Sequence, residues 1–277
     1  HGDTEIISRC AEGIHRGTWR TIHARAKQLA KALLALGVKP GDRVATLAWN
    51  SHRHLELYYA VSGIGAVLHT VNPRLFPEQL TYILNHAEDQ LVFFDGAFLP
   101  LIDKLRPHLP TVKQYVLLAD EGSTEKAQAQ HPYVSSYEAL LAAQSTDFAW
   151  PVFDEHTAAA LCYTSGTTGN PKGVLYSHRS TVLHALASCM KDILGLSSRE
   201  CVLLIVPMFH ACGWGVPYSA AMAGAKVVFP GAALDGPSVC ELLNHEECTL
   251  SMGVPTVWLG LLAHLDKHPE SKPKHLK

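Results

Sequence analysis

Two periods of apolar spacing run along the chain. Over residues 21–36 apolar side chains recur every three to four positions, as in an amphipathic helix, and Gly37 and Pro40 stop it. A strand at 43–49 and a helix at 51–63 follow. From Phe76 onward the two patterns take turns: helix 77–87 opened by its proline, strand 91–95, helix 98–106, strand 112–118, helix 137–143 and an apolar strand at 158–163. The C-terminal third repeats the theme, with strands 201–206, 226–229 and 249–252 and helices 216–223, 236–245 and 256–265. Short, continuously apolar strands separated by helices belong in parallel sheets covered on both faces. The expected fold is therefore α/β: two α/β halves with mostly parallel sheets flanked by helices, one at about 66–190 and the other at about 1–65 with 191–277. The polar stretch 120–131 reads as a solvated loop.

With 277 residues, 47% hydrophobic and 17% charged, the chain can bury a large core. A net charge of -2 lacks the positive field that drives binding to phosphate backbones, which argues against nucleic acid as a partner. Seven cysteines form no CxxC pair and read as free thiols in a reducing, cytoplasmic setting. His52 with His54, and His245 with Cys248, suggest a metal only weakly, because no HExxH or paired His/Cys spacing occurs. Apolar runs such as 201–208 are far shorter than the roughly 18 residues of a membrane span, so no transmembrane segment is expected. The chain starts at His1 without Met or leader, and both ends read as cut.

The richest chemistry lies in Tyr163-Thr164-Ser165-Gly166-Thr167-Thr168-Gly169-Asn170-Pro171-Lys172-Gly173. Glycines let backbone N–H groups approach a phosphate, hydroxyls add donors, and lysine brings a mobile positive charge. With a strand before it and a helix expected near Ser177, a helix N-terminus would add its dipole. A polar surface turn would use the same residue types. A Walker A loop is excluded, because Pro171 stands where glycine is required and Gly173 follows Lys172 in place of Ser or Thr.

This segment resembles the signature of the adenylate-forming enzymes, the superfamily of fatty acyl-CoA synthetases, 4-coumarate ligases and luciferases, at every position. Further likeness covers nearly the whole chain: Gly63-Ile64-Gly65-Ala66-Val67 leading to Asn72-Pro73, Leu80 to His86, and Pro207-Met208-Phe209-His210. The resemblance implies an AMP-forming ligase using ATP, Mg²⁺ and CoA on a fatty acid, with an aryl-CoA ligase or a non-catalytic carboxylate-binding fragment as alternatives. It implies that Thr164, Ser165, Gly166, Thr167, Thr168, Gly169 and Lys172 hold the β- and γ-phosphates, Thr164 lying near Mg²⁺ and Lys172 acting in catalysis. Amino-acid-activating members carry an Asp where His210 stands, so His210 points to an acid without an amine. By the same likeness His210 and Ala211 line the reactive carboxylate, and Trp214 gates an acyl tunnel. Taken alone, a His and a Trp on an apolar segment are more often core residues. The family's adenine-binding segment, Tyr-Gly-Xaa-Thr-Glu motif, ribose-binding Asp and mobile C-terminal domain with its adenylation lysine do not occur before Lys277. An N-terminal portion, inactive by itself, is expected. Homodimers are common among such ligases, and the sequence leaves oligomeric state open.

Overall fold

Twelve strands lie in two sheets in the computed structural model, which describes residues 1–164 and 170–277. They are β1 (Glu5–Cys10), β2 (Gly13–Thr18), β3 (Arg43–Leu47), β4 (Val67–Thr70), β5 (Leu91–Phe94), β6 (Gln114–Leu117), β7 (Val134–Ser136), β8 (Ala158–Thr164), β9 (Lys172–Ser177), β10 (Cys201–Leu204), β11 (Lys226–Phe229) and β12 (Leu250–Met252). Seven form one sheet, in the order β7-β6-β5-β3-β4-β8-β9, and five the other, in the order β12-β10-β11-β1-β2. Every pairing is parallel except the two edge hairpins, β1 with β2 and β8 with β9. The α/β class with mostly parallel sheets is as expected.

Strand alternation explains why both faces are buried. Along β5, Leu91 and Phe93 enter the central core, while Val92 and Phe94 enter the core on the opposite face. Along β10, Val202 and Leu204 join the same central core, and Cys201 and Leu203 face a third. A period of two with helices on either side produces this partition. Because the central core takes residues from both sheets, the two halves share one interior.

Several elements depart from the sequence reading, the strands β1, β2, β4 and β7 among them, which no expected element covered. Strand β3, grouped by sequence with residues 1–65, belongs to the seven-stranded sheet, where it sits between β5 and β4, and the helix His52–Gly63 connects it to β4. Each strand pattern looks alike in isolation, and only register assigns it to a sheet. Residues 120–131 hold a helix, Glu121–Gln130, whose N-cap Asp120 accepts the Ser123 N–H at 2.7 Å. Thr124 is its one buried residue, so it lacks the apolar stripe that pattern reading needs. Finally, β9 intervenes before the helix His178–Cys189, so the signature segment connects strand to strand. Among the described residues no helix is long and apolar enough to cross a membrane.

His54 fixes the end of β3. Its Nδ1–H donates to the Trp49 carbonyl at 3.1 Å, so its Nε2 must accept, and the Thr46 hydroxyl lies 2.9 Å away to donate. Complete burial pushes the His54 pKa down to about 4. Above the ordinary histidine pKa both folded and unfolded states are neutral; below it the unfolded chain gains a proton that the native state refuses. Melting temperature should therefore fall as pH drops from 6.5 toward 4, with on the order of 2 kcal/mol lost by pH 4.5. In His54→Gln this acid-linked loss should be smaller, whatever the variant's stability at pH 8, and thermal melts across that range measure the difference.

Candidate active site

Three chain segments meet at the C-terminal edges of the sheets, where open α/β folds present ligands. The first is the β8–β9 hairpin. Thr164 ends β8 and stands opposite Lys172, which begins β9. Both are exposed, and the Thr164 hydroxyl donates to the Lys172 carbonyl at 3.4 Å. Ser165, Gly166, Thr167, Thr168 and Gly169 lie outside the described residues. The expected helix dipole does not act here. The helix His178–Cys189 starts beyond all six residues of β9, about 20 Å along the strand, while a dipole's influence fades within the first turn.

Register decides which side chains share a face. Ala160 pairs with Tyr176, Cys162 with Val174 and Thr164 with Lys172, and successive same-face positions differ by two. One face of the hairpin thus runs from Ala160 and Tyr176 to Thr164 and Lys172 at its tip.

The second segment follows β10. Phe209 is buried, and His210 is exposed just before an unusual turn. From Ala211 to Gly215 five consecutive residues have positive φ, at 39°, 46°, 60°, 53° and 69°. Left-handed backbone costs roughly 1–2 kcal/mol per non-glycine residue, and Ala211, Cys212 and Trp214 all carry it. Glycine suits Gly215 for a second reason: a Cβ there would lie 2.5 Å from His184 Nδ1. Ala211, Cys212, Trp214 and Gly215 line a cavity of about 420 Å³ together with Ala160, Tyr176, Ser180, Thr181, His184 and Tyr218. Trp214 is 44% exposed, which puts it at the cavity's mouth. His210 is not part of that lining. The structure thus gathers Ala211 and Trp214 on one cavity, with Thr164 and Lys172 on the hairpin that forms its wall.

The third segment was missed by sequence reading. Asn50, buried beyond the end of β3, donates through Nδ2 to the carbonyls of Leu204 and Val206, both at 2.8 Å, and accepts the Met208 N–H at 2.7 Å through Oδ1. The Tyr58 hydroxyl donates to the Met208 carbonyl at 2.5 Å. These bonds bind the segment carrying His210 to the seven-stranded sheet. A buried Asn after a strand was the available signal, but Asn is ordinary in loops.

The AMP-binding enzyme family matches residues 1–277, and the chain belongs to that family. It is 54% identical over 268 residues to a 3-methylmercaptopropionyl-CoA ligase of Ruegeria lacuscaerulensis, with 96% of this chain and 49% of the relative covered. A medium-chain-fatty-acid–CoA ligase of Ectopseudomonas oleovorans is 54% identical over 264 residues, covering 95% of this chain and 48% of the relative. Among solved structures, the anthranilate CoA ligase AuaEII with anthranoyl-AMP superposes with a TM-score of 0.84 at 25% identity, covering 99% of this chain and 51% of that one. The chain spans about half the length of the curated relatives it matches.

Asn50→Ala should destabilise the fold by roughly 2–4 kcal/mol, since it strands buried groups that now lack partners. Urea denaturation of both proteins measures it. A change below 0.5 kcal/mol, roughly the spread of ordinary surface substitutions, would show that the segment holds itself in place.

Proposed function

We propose that this chain forms the phosphate and acid sites of a cytoplasmic, AMP-forming ligase that activates medium- or long-chain fatty acids, first to the acyl-adenylate and then to acyl-CoA. The shared hairpin face carries this reading: an apolar wall at Ala160 and Tyr176 leads to a hydroxyl and an ammonium at Thr164 and Lys172. An acid whose tail lies along the apolar wall would present its carboxylate toward the end where Thr164 and Lys172 face the nucleotide's phosphates.

In the first step a carboxylate oxygen bonds to the α-phosphorus of ATP as the bond to pyrophosphate breaks. Lys172 stabilises the charge that builds on the leaving pyrophosphate, with Ser165, Thr167 and Thr168 as hydroxyl donors and Gly166 and Gly169 as close-approach positions. In the second step the CoA sulfur bonds to the acyl carbon, loses its proton, and AMP departs. Mg²⁺ would lower the charge of the nucleotide. No group of three acidic, His or Cys side chains suited to a metal occurs among the described residues; of these, Thr164 would offer one hydroxyl to the ion. His210, exposed beside the left-handed turn, is assigned to the carboxylate end, and Trp214 to the mouth of the acyl cavity. The free thiols agree with a reducing compartment.

In the full-length protein Lys172→Ala should lower acid-dependent ATP–pyrophosphate exchange on the order of 10²-fold, with little change in melting temperature. A variant at wild-type rate would overturn the phosphate role. Each buried methylene contributes about 0.8 kcal/mol, so kcat/KM from butyrate to palmitate should rise roughly fourfold per carbon until the cavity ends. A flat series with coumarate as the best substrate would instead make this an aryl-CoA ligase.

A further inference from the structure

A second apolar cavity, of about 470 Å³, lies beyond the first, lined by Trp19, Ile22, Tyr59, Trp150, Phe153 and Ala221, among others. Tyr218 lines both. The two spaces follow one groove between the same chain segments: Tyr176 to His184 on one side, with His178 on the far cavity, and Trp214 to Ala221 on the other. The ring of Tyr218, shared by the two linings, packs against Tyr58 and Tyr59 at centroid distances of 5.7 and 5.6 Å. Its hydroxyl donates to the Tyr58 carbonyl at 3.2 Å, at the long end of the normal range. The outer wall of the far cavity is Trp150, which can lie on the helix His52–Gly63 because residue 63 is glycine; a Cβ there would meet the indole at 2.5 Å.

We propose that Tyr218 is the partition that sets the acyl-length limit, and that the aromatic cavity behind it is a distal tail site for longer acyl chains. The proposal rests on the fatty-acid reading of the first cavity. Aromatic and aliphatic walls, broken by His23, Ser62 and His178 and holding no Lys, Arg, Asp or Glu, suit a hydrocarbon better than a charged ligand. A ring held by packing and one long hydrogen bond is a wall that removal of its side chain would open without breaking the fold's charge pairs.

The test is a kcat/KM series from hexanoate to stearate on the full-length protein, with melting temperature followed for every variant. For Tyr218→Ala the length at which kcat/KM stops rising should move out by at least two carbons, with stearate improved tenfold or more relative to hexanoate. Tyr218→Phe, which keeps the ring, should keep the wild-type limit. Adding Ala221→Phe to Tyr218→Ala fills the far cavity and should pull the limit back. An unchanged limit in a folded Tyr218→Ala, or an extension that survives Ala221→Phe, overturns the proposal. If the wild type shows no acid-dependent turnover at all, the fatty-acid reading fails first, and the series separates the two outcomes.

Discussion

The carboxamide of Asn50 is the constraint on which the site depends. Three hydrogen bonds, all buried, tie the end of β3 in one sheet to the residues that leave β10 in the other. An amide is the only side-chain type that offers two N–H donors and a carbonyl acceptor together, which matches two carbonyls and one N–H in a row. Aspartate would set a carboxylate against two carbonyls, and leucine would strand all three groups. The end of β3 and the segment that leaves β10 are therefore held at a fixed distance from each other.

Around that clamp a charged cluster holds the helices in register. Fully buried Glu56 accepts from Arg25 Nε at 2.7 Å and from the Tyr137 hydroxyl at 2.6 Å. Burial raises the Glu56 pKa, and Arg25 opposes that rise. Arg25 also reaches Glu138, which Arg53 contacts at 2.8 Å, and Arg53 extends to Glu12 at 2.6 Å. Four separate segments thus meet in one network. Removing one member of such a group usually costs more than the group as a whole contributes, because the remaining charge stays buried. The rigid frame explains how the left-handed turn at Ala211–Gly215 persists: strained backbone survives where its surroundings over-determine it. Clamped at Met208 and packed through Gly215 against His184, the turn has no room to relax.

Much of this was legible in the sequence, and the exceptions share a cause. Apolar strands such as β5, β10 and β11 and amphipathic helices such as Trp19–Ala35 announced themselves, because burial on one or both faces writes a period into the chain. Strand β9 did not: residues 172–175 are exposed on this edge strand, so no burial pattern marks it. The helix Glu121–Gln130 was hidden by its polarity. Which sheet receives β3 is a matter of long-range pairing that local spacing cannot encode. At the candidate site, motif reading singled out Thr164, Lys172, His210, Ala211 and Trp214 but not Asn50, whose hydrogen-bond partners lie more than 150 positions away. The left-handed turn did leave a trace, in glycines on both sides of Trp214.

Strand period also dictates how an acid would lie in the site. Thr164 and Lys172 share a face with Ala160 and Tyr176, so the polar tip and the apolar wall form one continuous surface. A one-residue slip of β9 would turn Lys172 to the face opposite the one that carries Ala160. Paired as it is, the hairpin would favour one direction for an acid lying along this face in the proposed site. In the proposed reading the carboxylate would point toward the polar tip, where Thr164 and Lys172 face the nucleotide's phosphates, while the hydrocarbon would be withdrawn from water. Reversed, the carboxylate would be buried against Ala160 and Tyr176 without a charge partner, at a cost of several kcal/mol, while methylene groups stayed in solvent. In the proposed reading the orientation of the acid would therefore follow from the hairpin's register, which puts the apolar positions Ala160 and Tyr176 at one end of a face and Thr164 and Lys172 at the other.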